Sequence, residues 1–256
     1  MSLEKNLNGV SHEDAWKKRL YHAYVSSGQA GQIPENITAA CHFRHRAPYL
    51  RSIVRDFLPQ DRSIRIADLG CGHGALLYFL KLAGYSNIAG IDVSAEQIEM
   101  AQRLGICETL QGSLNEFLAG TQPESVDVIF LMDVLEHLTR RELFTILDSV
   151  YRVLRPSGSC IIHVPNAEGI FGMRIRYGDL THEECFTRKS LSQLFSTIGF
   201  STVECYEDRP RMHGIVSIFR RTIWEVGTLP HRFLLAAETG EKRFILSQNM
   251  LAVAKK

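Results

Sequence analysis

Downstream of residue 63 the apolar positions fall into two alternating patterns. Short, nearly continuous apolar runs appear at Ile64-Arg-Ile-Ala67, Asn87-Ile-Ala-Gly-Ile-Asp92, 106–111, Ser125-Val-Asp-Val-Ile-Phe-Leu-Met132, Ser159-Cys-Ile-Ile-His-Val164, 200–206 and Phe244–Val253. Between most of them lie stretches whose apolar residues recur every three or four positions. The first pattern predicts strands, and the unbroken run 125–132 suits a strand covered on both faces of a parallel sheet. The second predicts amphipathic helices after Gly74, over 94–104, up to about Ala119, and over 139–154, 188–198 and 215–227. Strand and helix in alternation make an α/β domain.

Punctuation residues bound these elements. Ser94-Ala-Glu-Gln97 and Thr139-Arg-Arg-Glu142 read as capping boxes, the second with Leu138 and Leu143 placed as a hydrophobic staple. Thr187 stands where a cap belongs before 188–198, and Gly199 closes that helix. Arg155-Pro-Ser-Gly158 breaks the chain, and segment 165–187 is long for a connection, a length that often carries function. Upstream, a helix-like 12–26 with Trp16, Leu20, Tyr21 and Tyr24 precedes a Gly/Pro/Asn-rich break at 28–36 and a helix around 43–57. Residues 1–60 are therefore expected to form an N-terminal helical appendage to a domain over 61–256, which carries an insertion at about 208–240.

Composition narrows the classes. The 256 residues can bury a sizeable core, and 29 basic against 28 acidic side chains give a net charge of +1. Nothing global points to nucleic acid. Six cysteines are scattered without a C-x-x-C pair, as expected of reduced thiols in a cytoplasmic protein. No apolar run approaches membrane-spanning length, and the first residues lack the apolar core of a secretory leader.

The chemistry concentrates at Asp68-Leu-Gly-Cys-Gly-His-Gly74, between a predicted strand and a predicted helix. Glycines there let ligand atoms approach the backbone at a helix N-terminus, which suits a nucleotide-type cofactor. Gly70, Gly72 and Ala75 also satisfy a dinucleotide pattern with Asp92 as the ribose acid, so an NAD(P)-dependent oxidoreductase or epimerase competes at this point. It is disfavoured because the chain holds no Y-x-x-x-K pair.

Asp68 just before G-x-G-x-G resembles motif I of the class I S-adenosylmethionine-dependent methyltransferases. The string Asp133-Val-Leu-Glu-His-Leu138 after the fourth strand resembles a large subgroup of them. Arg46 with Tyr49 and Leu50 is similar to the R-x-x-Y-[IL] helix of ubiquinone-pathway O-methyltransferases. This resemblance implies a Rossmann-like, doubly wound seven-stranded sheet with a reversed final strand, and S-adenosyl-L-methionine as cofactor. It implies cofactor-binding roles for Arg46, Asp68, Gly70, Cys71, Gly72, Asp92, Val93, Leu114 and Met132. Ser113 departs from the family's aspartate and would contact adenine as a hydroxyl, or leave that to the Leu114 amide. Runs such as Asp179-Leu-Thr-His-Glu resemble methyltransferases encoded with bacterial surface-polysaccharide genes, which implies a saccharide on a nucleotide or lipid carrier as acceptor. A small quinone-precursor-like acceptor is the alternative, and a fold that kept the cofactor without turnover is a third reading.

An alcohol acceptor must lose its proton, and a histidine suits that task near neutral pH. His182, in the polar loop after the fifth strand and beside carboxylates, is the first candidate; His137 is the second. Asp179, His182, Glu183 and Glu184 cluster, but no two have strong ligand spacing, so no metal is assigned. In the insertion, Ile215, Ile218, Phe219, Ile223 and Val226 share one helical face, expected to pack on the domain. Arg220, Arg221 and Trp224 share the other. With Arg209, Arg211 and Arg232 they make 209–232 basic, suggesting an anionic carrier and peripheral membrane contact.

Overall fold

The computed structural model of the chain describes Trp16, Lys17, residues 19–21 and residues 37–256. Most of the predicted helix 12–26 and all of the break 28–36 lie outside the described residues. A single seven-stranded sheet organises the rest. In chain order it comprises β1 (Ile66–Leu69), β2 (Ile88–Asp92), β3 (Thr109–Gln111), β4 (Val126–Met132), β5 (Leu154–Pro165), β6 (Thr202–Glu207) and β7 (Asn249–Lys255). The spatial order is β3-β2-β1-β4-β5-β7-β6. Every neighbouring pair is parallel except the two made by β7, which runs antiparallel to both β5 and β6. The reversed final strand is therefore present.

Helices cover both faces. Numbered along the chain, they are α1 (Ala39–His42), α2 (Ala47–Phe57), α3 (Ala75–Leu82), α4 (Ala95–Arg103), α5 (Leu114–Gly120) and α6 (Arg140–Val153). They continue with α7 (Gly172–Arg176), α8 (Arg188–Ile198) and α9 (Ile215–Thr239). Alternate residues of β4 feed two cores, as pleated geometry requires. Ile129 and Leu131 pack with Leu143, Leu147, Leu191 and Phe195 of α6 and α8. Val128 and Phe130 pack with Ile53, Leu77, Phe79 and Ile98 of α2, α3 and α4. This double coverage is why strand 125–132 reads as continuously apolar.

Several boundaries differ from the sequence expectation for local reasons. The 43–57 helix is broken: Phe43–His45 form a 3₁₀ turn, and α2 begins only at Ala47, with Pro48 in its first turn where no N–H is needed. The break at Arg155–Gly158 is a bulge inside β5, since Val126 pairs with Leu154 while Val128 pairs with Ser159. Phe244–Ser247 do not belong to β7. Instead the Ile245 and Ser247 carbonyls accept both N–H groups of the Asn166 amide, at 2.7 and 2.9 Å. The capping box at Thr139 and Glu142 is complete. Thr187 caps α8 with Ser190 answering, and Gly199 closes it in the left-handed region at φ +119°.

The insertion departs furthest. α9 runs twelve residues past the predicted end, through Pro230 to Thr239, and its faces are reversed. Ser217 and Thr228 are the buried positions, while Ile215, Phe219 and Val226 are exposed. Arg232 grips Glu207 of β6 at 2.6 and 2.7 Å, and Arg209 and Arg221 both bond Glu225. The salt bridges of Arg232 to Glu207 and of Arg209 to Glu225, not the apolar stripe, fasten this helix to the domain.

Candidate active site

The C-terminal ends of β1, β2, β4 and β5 open onto a cavity of about 1000 Å³. Gly70, Cys71 and Gly72 form its floor after β1; Asp92 and Val93 follow β2, and Ser113 and Leu114 follow β3. Met132 ends β4 there, Arg46 stands at the rim just before α2, and His137 and His182 meet at the far wall. The cofactor-binding and catalytic candidates thus line one space.

The glycine turn is shaped by sterics. Gly70 has φ +77°, and a Cβ there would stand 2.4 Å from Val134 Cγ2, so no other residue fits without moving the chain. Gly72 has φ +54° and its N–H donates to Asp92 Oδ2 at 2.8 Å. Asp92 Oδ1 accepts from the Ser94 N–H, also at 2.8 Å. Asp92 therefore occupies the reciprocal place expected of Gln97 in the Ser94 capping box. Gln97 turns to His73, whose Nδ1 lies 2.9 Å from its Oε1. The carboxylate tying two loops together still has lone pairs to spare. Burial raises its pKa, against three backbone hydrogen bonds that lower it. Next to it Val93 is 55% exposed, an apolar face open to the cavity.

Asp68 ends up 2% exposed, with Oδ1 lacking a hydrogen-bond partner among the described residues. Burial, then the charge of Asp92, push its pKa up to about 7, with Arg46 pulling the other way. A buried carboxyl with an unused acceptor fits a cationic ligand group, and S-adenosylmethionine carries an ammonium and a sulfonium. The sign follows: below the raised pKa Asp68 is protonated and attracts no cation, so affinity is lost as pH falls. Between about pH 5.5 and 7.5, where an α-amino group keeps its proton, the Kd for S-adenosylmethionine should rise severalfold toward the acid end. Calorimetry across that window should show Asp68→Asn weaker near pH 7.5, converging with the wild type toward pH 5.5, and without the slope.

Across the cavity two imidazoles meet edge to face, with ring centroids 4.7 Å apart. His182 Nδ1 lies 3.0 Å from the Ile175 carbonyl, which can only accept, so Nδ1 holds the proton and Nε2 keeps its lone pair. Asp179 Oδ1 accepts from the Thr181 hydroxyl at 2.6 Å, and that hydroxyl oxygen lies 2.8 Å from His137 Nδ1. The relay leaves His137 Nε2 free in the same way. Burial, then the neighbouring His182, lower the His137 pKa to about 4, so it is neutral at physiological pH. Glu136 is 1% exposed with Oε2 unpartnered among the described residues, and burial raises its pKa well above the carboxylate range. Donor atoms of Glu136, His137 and His182 all lie within 4.8 Å of one another. The set has the nitrogen and oxygen donors a divalent ion accepts; it is not the group 179–184 weighed from sequence.

The third wall was not legible as a site. Asp133, in the left-handed region at φ +57°, donates its N–H to the His163 carbonyl and places Oδ1 2.5 Å from His163 Nδ1. Asp208 Oδ2 reaches Nε2 at 3.4 Å. Burial opposes the imidazolium, but the two carboxylates outweigh it and hold His163 up to about 10. Tyr49 covers the His163 ring edge to face, and the Tyr49 hydroxyl and Asn249 Oδ1 have no partners among the described residues. Lys17 donates to the His137 carbonyl at 3.1 Å, bringing the N-terminal residues to the same cavity. Asp133 opens the string already singled out after the fourth strand, whereas only its position near a strand's C-terminal end could have flagged His163.

Comparison with known proteins agrees with this geometry. A family model described as a methyltransferase domain matches residues 42–205. The chain is 28% identical over 156 residues to a ubiquinone biosynthesis O-methyltransferase of Cupriavidus pinatubonensis, covering 55% of this chain and 61% of that protein. It is 34% identical over 114 residues to an O-methyltransferase of Aspergillus nomiae, covering 43% and 50%. The chain thus spans about half to three-fifths of these two curated relatives. Among solved structures, a SAM-dependent methyltransferase from Archaeoglobus fulgidus superposes with a TM-score of 0.63 at 21% identity, covering 84% of this chain and 96% of that one. With its reversed strand, its glycine turn beside Asp92 and a family match over more than half its length, the chain belongs to the methyltransferase-domain family, and S-adenosylmethionine is its cofactor.

Proposed function

We propose that the protein methylates a hydroxyl of a saccharide borne on a nucleotide or lipid carrier. The observation that supports this best is the pair of imidazoles on the cavity wall, His137 and His182, each held through Nδ1 with Nε2 left open to the cavity. When bound, the cofactor would supply a methyl group made electrophilic by its sulfonium, with the neutral thioether as leaving group. His182 Nε2 takes the hydroxyl proton as the oxygen attacks, and the Ile175 carbonyl holds the ring in the required tautomer. Asp68 and Arg46 offer opposite charges to an amino-acid ammonium and carboxylate, and Asp92 offers acceptors to a ribose diol. Positioning then accounts for most of the rate, since in-line displacement needs the two reacting centres close and aligned.

A polar acceptor suits the wall of Tyr49, Asn249, Asp133 and Asp208, where the Tyr49 hydroxyl and Asn249 Oδ1 would otherwise stay unsatisfied. A phenolic quinone precursor is the second reading, favoured by the ubiquinone-pathway relatives. Incubating the protein with S-adenosylmethionine and a panel of nucleotide sugars and catechols, read by mass spectrometry for one added CH₂, separates the two. Methylation confined to catechols would remove the saccharide reading.

A further inference from the structure

α9 presents to solvent what an amphipathic helix normally hides. At 100° per residue, Ile215, Phe219, Val226 and Phe233 fall on one line, with Ile223 and Leu229 to either side. Ile215 is 88% exposed, Phe233 74% and Phe219 66%. The opposite face carries Ser217, Thr228 and the ion pairs to Glu207 and Glu225, and it is the one in contact with the domain. Nine apolar side chains of this helix are exposed, leaving on the order of 1,000 Å² of apolar surface in water, more than the largest patch of an ordinary monomer. At 1.5 Å per residue the stripe from Ile215 to Phe233 is roughly 27 Å long.

The charge around the stripe selects its occupant. Residues 209–243 hold seven cations, Arg209, Arg211, Arg220, Arg221, Arg232, Lys242 and Arg243, against Glu225, Glu238 and Glu241. The segment carries +4 in a chain whose total is +1. Extending the count to the adjacent Glu207 and Asp208 leaves +2; Arg209, Arg221 and Arg232 pair with Glu207 and Glu225, so the charge offered beside the stripe is that of Arg220, Lys242 and Arg243. Two copies joined through this face would bring like charge to like charge. An anionic surface meets both features at once, because a helix with an apolar stripe and basic borders lies in the plane of a bilayer interface. No helix among the described residues is long and apolar enough to cross a membrane, which leaves the in-plane arrangement.

We propose that α9 seats the protein on an anionic lipid bilayer, with Ile215, Phe219, Ile223, Val226 and Phe233 among the acyl chains and Arg220 at the headgroups. Arg221 and Trp224, which the sequence groups with Arg220 on the face suggested for an anionic carrier or membrane, are turned inward instead: Arg221 is tied to Glu225, and the Trp224 indole nitrogen is buried. Asp208, in the segment leading to α9, lines the cavity, so the acceptor side of the site is held close to that surface. The inference stands whichever acceptor is methylated, because its test does not read activity.

The test is co-sedimentation of the full chain with phosphatidylcholine vesicles, with and without phosphatidylglycerol. The protein should pellet with the anionic vesicles, detach as salt screens the headgroups, and lose at least tenfold in partitioning in the double variant Phe219→Glu, Ile223→Glu. Both side chains are exposed, so the variant should keep the wild-type Tm and S-adenosylhomocysteine affinity. Failure to pellet, with light scattering showing a dimer that the double variant splits, would assign the stripe to a second copy and overturn the proposal. Failure to pellet as a monomer would overturn it equally, placing the cover within the chain itself.

Discussion

Asp92→Ala should raise the Kd for S-adenosylhomocysteine by at least a hundredfold. Two effects add. The carboxylate is expected to accept from a ribose diol, and it also accepts from Gly72 N–H and Ser94 N–H, holding the glycine turn against the start of α4. Hydrogen bonds to a charged group contribute about 1.5–3 kcal/mol each, so losing the ligand's share and loosening the turn together exceed a factor of 100. Asp92→Asn separates the effects, since an amide oxygen can still accept one backbone bond. It should recover most of the Tm lost in the alanine variant but only part of the affinity. Titration calorimetry with thermal melts checks this, and an alanine variant that binds S-adenosylhomocysteine like the wild type would remove Asp92 from the cofactor site.

The second large effect is on turnover. His182→Ala should lower kcat by about 100- to 10,000-fold, the usual range for removing a positioned base, while cofactor affinity stays within error. His182 touches none of the glycine-turn residues in a hydrogen bond; its ring is fixed by Ile175 and stacked edge to face on His137. His137→Ala should cost less, because a group with its pKa near 4 takes a proton poorly at neutral pH. Chelator separates a proton-accepting role from a shared-ion role. If activity survives EDTA, the imidazoles act as bases or hydrogen-bond partners. If it is lost and restored by a divalent ion, Glu136, His137 and His182 hold that ion together. Unchanged kcat in His182→Ala would overturn its assignment as base.

What could be read from the sequence was what is local. Gly70 announces itself because its φ and its contact with Val134 admit no Cβ, and Thr139–Glu142 and Thr187 announce helix starts because caps act within one turn. The alternation of strands and helices follows from the same short-range periodicities. Asp133 meeting His163 could not be read, because 30 residues separate them and only the register pairing Met132 with His163 brings them together. Gln97 was misassigned because the same amide can answer Ser94 or reach His73, and sequence cannot choose between a near and a far partner. For α9 the apolar stripe was visible, but periodicity tells that a helix has two faces and not which one the domain takes. There Arg232 and Glu207 decided.

The place of β7 sets an order of events in the making of the molecule. Residues 249–255 come after β6 in the chain yet lie between β5 and β6 in the sheet, bonded to both. While the ribosome is still upstream of Asn249, β5 has no partner on that side, and β6 has no strand to join. The cofactor half, from β1 to β4 with α2 to α6, can pair its strands as they emerge. The half that carries β6 and anchors α9 must wait, with two strand edges open to wrong partners. Chaperone capture during synthesis should therefore cluster on nascent chains that already expose β6 but not yet Asn249–Lys255.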